Sequence, residues 1–200
     1  MNTNEPLHVV SCDVLRKELE YLTKKNRWSI APTFLSSNLH VSLDSLERAL
    51  LHALDRPQPS DCMIYGVCHP RMDRICADRH IVRTPVQNCI EMLIGKSMFT
   101  SLLEDGAFFI LEQWAFHWNT IASEVFIGSP SSRYEILKEE HEYILCLRTP
   151  CSTNFYKEAE AVSEETGLPL QWRDVSLHHM EEVLLRTFEQ AYLTDKESNR

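Results

Sequence analysis

Short apolar runs alternate with amphipathic helical stretches along almost the whole chain, and few architectures accommodate that order. LHVVSC (7–12), WSIAPTFLSS (28–37), DCMIYGVC (61–68), HIVRTP (80–85), AFFILEQW (107–114), YILCLRTP (143–150) and LPLQWRDV (168–175) read as strands. Between them the apolar residues fall on single helical faces, as with Leu15, Leu19 and Leu22, then Leu46, Leu50 and Leu54. A strand followed by a helix returns the chain to the same end of a sheet, so successive strands pair in parallel. The expectation is an α/β fold: a single domain over residues 8–193, with a mainly parallel sheet and helices on both faces. Short flexible ends at 1–7 and 194–200 flank it.

Local signals refine the elements. Pro32 assigns the second strand to an edge. Asp13 is expected to cap the first helix, and Ser42 or Asp44 the second. One long helix is expected from Cys89 to about Asp105, with Ile90, Leu93, Ile94, Met98 and Leu102 on one side. HWNTIASEVF, SSRYEILKEEHE and NFYKEAEAVSEET supply further helices, and Gly167 terminates the last of these. PQPS and GSPSS read as loops. The final helix is expected to bury Met180, Leu184 and Phe188.

Composition removes several function classes. A net charge of -9 disfavours nucleic acid and anionic membranes as partners, although Arg71, Arg74, Arg79 and Arg83 crowd one stretch. No apolar run reaches membrane-spanning length, and MNTNEPLHVV lacks the features of a secretory signal. The expected location is therefore the cytoplasm. Only five glycines are present, with neither GxGxxG nor GxxxxGK[ST], which argues against a phosphate-cradling loop. No GxSxG supports a serine triad. Oligomeric state stays open, a homo-oligomer included.

Seven cysteines in a reducing compartment point to free thiols or metal ligation rather than disulfides. Cys12, Cys68 and Cys89 each close a βα corner, and in a parallel sheet such corners share the carboxyl edge, where ligands bind. Three thiolates at one point make a soft-metal or redox site. His69 is the candidate fourth ligand, and Gln87 and Asn88 could add amide oxygens or supporting hydrogen bonds. Arg71, Arg74 and Arg83 could orient an anionic substrate group. The positive end of a helix should lower the thiol pKa of Cys89, and similarly of Cys12.

Ordinary packing is the competing reading, because cysteine often fills a strand end. It is favoured for Cys62 and Cys146, which lie inside strands, and for Cys76 in its connector. Cys151 is a reserve candidate for the ligand edge. His178 and His179 are read as a solvated pair, His117 and Trp118 as core or lid. His8, His40, His52 and His141 are read as structural.

VVSCDVLRKELEYL, MIYGVCHP and PVQNCIEMLIG, taken in order with the SEETGLPL tail, resemble the family catalogued as domain of unknown function 1638. The resemblance covers about residues 8–193. It implies an α/β fold and a Cys12, Cys68, Cys89 cluster. It also implies an association with corrinoid-dependent methyltransferases, near which such proteins are often encoded in methanogenic archaea. Many relatives carry His-Asp before the third cysteine where this chain has Gln87-Asn88, and Gly after the second where it has His69. The leading expectation is thus a Zn²⁺-binding protein of methyl-transfer, one-carbon metabolism, with His69 or an exogenous thiol as fourth ligand. Two alternatives stand beside it. One is an iron–sulfur protein delivering electrons or activation. The other is a non-enzymatic partner of a corrinoid protein or methyltransferase, with no cofactor at all.

Overall fold

The computed structural model describes residues 6–55, 61–125 and 130–198. The PQPS loop, residues 1–5, and Gly128 and Ser129 of GSPSS lie outside the described residues. The chain is α/β, and every strand pairing is parallel. The strands divide between two sheets, one in each of two compact units: Met1–Met92 with His178–Arg200, and Leu93–Leu177. The sequence order of strands does not say which of them pair, and a single sheet was the simpler expectation.

In the first unit the strands are β1 (Leu7–Cys12), β2 (Ile30–Leu35), β3 (Asp61–Ile64) and β4 (Val82–Arg83), in the order β2-β1-β3-β4. Fully buried β1 is internal, and β2, which carries Pro32, lies at the edge. A 3₁₀ turn (Asp13–Leu15) leads into α1 (Arg16–Asn26), whose Leu19 and Leu22 are buried. Asp13 does not cap this helix. Its carboxylate accepts the Ser37 N–H at 2.7 Å and so ties the corner after β1 to a second 3₁₀ segment, Ser37–Val41. Ser42 caps α2 (Leu43–Ala53) as expected, accepting the Ser45 N–H. α3 (Met72–Asp78) occupies the connector before β4.

The helix expected from Cys89 to Asp105 is two helices, α4 (Cys89–Ile94) and α5 (Lys96–Glu104). Gly95 between them has φ 79°, outside helical space, so the periodic apolar pattern crosses a real break. The second unit continues with β5 (Ala107–Ile110), α6 (Glu112–Phe116), α7 (Trp118–Val125), α8 (Pro130–Glu140), β6 (Tyr143–Arg148), α9 (Tyr156–Thr166) and β7 (Leu170–Asp174), in sheet order β5-β6-β7. β5 is shorter than the AFFILEQW run because the chain turns into α6. There the Glu112 carboxylate accepts the Thr153 N–H at 3.0 Å and the Thr153 hydroxyl. Ile110, Ile144, Phe155 and Val162 centre this unit's core. Gly167 ends α9 in the left-handed conformation, as expected.

The last helix, α10 (His178–Ser198), belongs to the first unit and packs on β3 and β4. Met180, Leu184 and Phe188 are buried, and Trp28 meets Phe188 edge-on at 5.2 Å. The helix extends through Ser198, into the segment expected to be a frayed tail. Among the described residues no helix is long and apolar enough to cross a membrane.

Candidate functional site

Parallel pairing puts the carboxyl ends of β1, β3 and β4 on one edge of the first sheet. Cys12 is the last residue of β1, Cys68 follows the end of β3, and Cys89 opens α4 after β4. The three thiols interact electrostatically with one another: Cys12 with Cys68, and Cys89 with both. Among the described residues, however, no group of three or more His, Cys, Asp or Glu side chains is placed to hold a metal ion.

Two local devices bring the second and third corners together. Gly66 lies so close to the next corner that a Cβ there would stand 2.1 Å from the Gln87 carbonyl oxygen. Only glycine fits this approach, and Val67 N–H then donates to the same oxygen at 2.7 Å. Arg83 adds a clamp. Its Nη1 lies within hydrogen-bond distance of the carbonyls of Tyr65 (3.1 Å), Thr84 (2.8 Å) and Val86 (3.2 Å), and its Nη2 pairs with Asp73 at 2.9 Å. The Thr84 hydroxyl also donates to the Tyr65 carbonyl at 2.9 Å.

Burial dominates the thiol chemistry. Cys12, 4% exposed, is pushed up to about 12, chiefly by burial, with the neighbouring Asp13 and Cys68 adding to the rise. Burial raises Cys68 too, while the Arg83 guanidinium pulls it down. Cys89 keeps some exposure as a residue, yet its thiol is closed in, and burial followed by the other two cysteines raises it well above the usual range. The lowering expected from a helix start is corrected. The amide hydrogen bonds do act in that direction, but desolvation outweighs them, and α4 is short. Without a cation these groups are neutral thiols.

Tyr65 stands beside them. Its hydroxyl lies next to the Cys12 thiol and is buried without an aligned hydrogen bond. The residue is 2% exposed, so solvent does not supply a partner. A buried, unpaired hydroxyl costs about 1–3 kcal/mol. Among the described residues the only other such atom is His141 Nδ1, in the second unit. In the sequence Tyr65 stood in a strand run and in the MIYGVCHP stretch, with no role assigned to it.

The remaining candidates are placed as follows. His69 is buried, its Nδ1 accepts the Arg71 N–H at 3.1 Å, and its Nε2 faces Glu47 at 3.9 Å. Arg71 pairs with the same Glu47 carboxylate. Arg74 is exposed and lies 3.6 Å from Asp78. Asn88 caps α4, its side-chain oxygen accepting the Glu91 N–H at 2.9 Å, while the Glu91 carboxylate reaches back to the Gln87 N–H at 3.1 Å. This capping exchange was visible as N-x-x-E in the sequence and fixes Cys89 at the helix start. Cys62 and Cys146 are buried inside strands, and Cys76 is buried in α3 with its sulfur 4.0 Å from that of Met63. Cys151 belongs to the second unit, after β6. His117 and His178 are exposed, and Trp118 is a core residue bonded to Glu165.

A match to the family described as Protein of unknown function (DUF1638) spans residues 34–184. The chain belongs to this family. The stretch that identifies the DUF1638 chain contains Cys68 and Cys89, whereas Cys12 precedes it. No curated protein and no solved structure matches the chain.

Proposed function

We propose that Cys12, Cys68 and Cys89 form a soft-metal site, Zn²⁺ favoured, in a cytoplasmic protein acting in or alongside corrinoid-dependent methyl transfer. The observation that supports this reading is the Tyr65 hydroxyl, buried beside the Cys12 thiol with no aligned hydrogen bond. A neutral thiol is a weak acceptor, and a thiolate is a strong one. A dication that displaced the thiol protons would therefore turn Cys12 into a strong acceptor for Tyr65. Three sulfurs select a borderline or soft ion. Entry of the ion has to draw the sulfurs in, toward Zn–S distances of about 2.3 Å.

The link to methyl transfer is chemical. Zinc on a thiol-rich site lowers the pKa of a bound thiol and holds it as thiolate, the nucleophile that accepts a methyl group. The family's resemblance-based association with corrinoid methyltransferases supports the same direction and makes a corrinoid protein or methyltransferase the expected partner. Among the described residues no disulfide is present, in keeping with the reducing compartment proposed.

Metal analysis of anaerobically purified protein tests the site. Wild type should carry about one Zn²⁺ per chain, and Cys68→Ser and Cys89→Ser should lose it. Metal content unchanged in Cys68→Ser would overturn the reading. Brown protein with visible absorption would replace zinc by an iron–sulfur cluster on the same thiols.

A further inference from the structure

The helix α10 has two apolar faces, and its own unit covers one of them. Met180, Leu184, Phe188 and Ala191 are buried. On the other side Leu185 is 41% exposed, Tyr192 43% and Leu193 62%. A scattered apolar side chain at a surface is ordinary. Leu185 and Tyr192 are not scattered. They lie seven residues apart, two turns along one row of the helix, and Leu193 adjoins them. Ala191 is the last buried residue among those described, while the helix runs on to Ser198. Tyr192 and Leu193 therefore stand where α10 leaves the core of its unit.

The charges beside this row are complementary to themselves. Arg186 donates from Nε to the Glu182 carbonyl at 3.2 Å and lies 3.9 Å from the Glu182 carboxylate, an exposed contact within its own helix. Glu189, also exposed, follows Arg186 by one turn. A two-fold axis passing beside residues 188 and 189 sets two copies of α10 antiparallel. Leu185 of each copy then stands level with Tyr192 of the other. Arg186 of each stands two residues, about 3 Å along the helix, from the other copy's Glu189. Symmetry makes both contacts twice. We propose that the outer face of α10 docks on the same face of a second copy of this chain, antiparallel, with Leu185 on Tyr192 and Arg186 beside Glu189. The helix is about 31 Å long, and a strip about 10 Å wide along it covers roughly 300 Å² on each copy. A standard interface takes about 800 Å² a side, so this pair is weak and reversible. The inference makes no use of the cysteines.

Sedimentation velocity on the full chain across the micromolar range tests it. Wild type should move from monomer toward dimer as concentration rises, equally before and after treatment with a chelator. Leu185→Asp combined with Tyr192→Asp should stay monomeric throughout. Arg186→Glu and Glu189→Arg each set like charges across the axis and should weaken self-association about tenfold. Mixed in equal amounts, these two single variants should associate again, because each glutamate of one chain then meets an arginine of the other. Circular dichroism checks that every variant is folded. The two charge variants, altered only at exposed positions, decide the matter if Leu185→Asp with Tyr192→Asp misfolds. Wild type that remains monomeric overturns the proposal and leaves the face to a different protein. A dimer that survives the substitutions at 185 and 192, or one that a chelator dissolves, places the contact elsewhere and overturns it too. A mixture of the charge variants that associates no better than either alone also overturns it.

Discussion

The two sheets follow the same parallel logic, but their carboxyl edges are finished differently. At the second, Arg148 forms a two-point pair with Asp174, at 2.7 and 3.0 Å, and lies over Tyr156 and Trp172. Thr149 and Ser152 bond within their own loop, and Thr153 is held by Glu112. At the first, the buried Cys12 thiol lies beside a buried Tyr65 hydroxyl that makes no aligned hydrogen bond. A self-satisfied edge stabilises the fold. An edge with unmet valences is where a further ligand has something to gain.

The largest expected separation between the two units comes from their glycines. Gly66→Ala puts a methyl group into a backbone carbonyl and should cost about 3 kcal/mol, with loss of metal uptake. Gly167→Ala, with φ 69° and only the flexible Lys138 side chain in the way, should cost about 1–2 kcal/mol and leave metal uptake intact. Urea midpoints and metal content read both. Equal penalties would erase the contrast.

Alkaline pH probes the thiols directly. Their native pKa values lie above the ordinary 9.0, so the unfolded chain releases protons first. The stability they contribute is complete below pH 9 and is lost as pH rises, through about 12 for Cys12. Metal-free protein should lose up to roughly 1.4 kcal/mol per thiol per pH unit in that window. Urea titrations at pH 8, 9 and 10 measure this, and a flat profile would contradict the burial of these sulfurs.

If the proposed site holds, Tyr65→Phe should weaken Zn²⁺ binding about tenfold while changing metal-free stability little, since the hydroxyl removed makes no aligned hydrogen bond. Competition with a chelator of known affinity gives the first quantity and urea unfolding the second. The smallest effect belongs to the other edge. Asp174→Asn opens an exposed ion pair and should cost under about 1 kcal/mol in a urea midpoint, with metal content unaltered.

The sequence made the elements legible where the signal was local. β1, α2, β6 and α9 announce themselves through apolar period, a serine cap and a glycine stop. The corners that carry Cys12, Cys68 and Cys89 were legible for the same reason. The break at Gly95 was not, because one glycine leaves the periodicity of Leu93, Ile94 and Leu102 intact. The division into two sheets was equally hidden, since pairing is a long-range choice. Asp13 read as a cap but serves Ser37, 24 positions away. The placement of Tyr65 beside Cys12 depends on neighbours that only folding supplies.

Arg83 has a consequence for how an ion arrives. One guanidinium nitrogen gathers the carbonyls of Tyr65, Thr84 and Val86, so both loops are fastened by the protein's own groups. An ion bound at the proposed site would not have to order these loops. If the proposed site holds an ion, the backbone frame stands before it arrives and only the sulfurs have to shift, where a zinc finger must assemble and dismantle itself at every exchange.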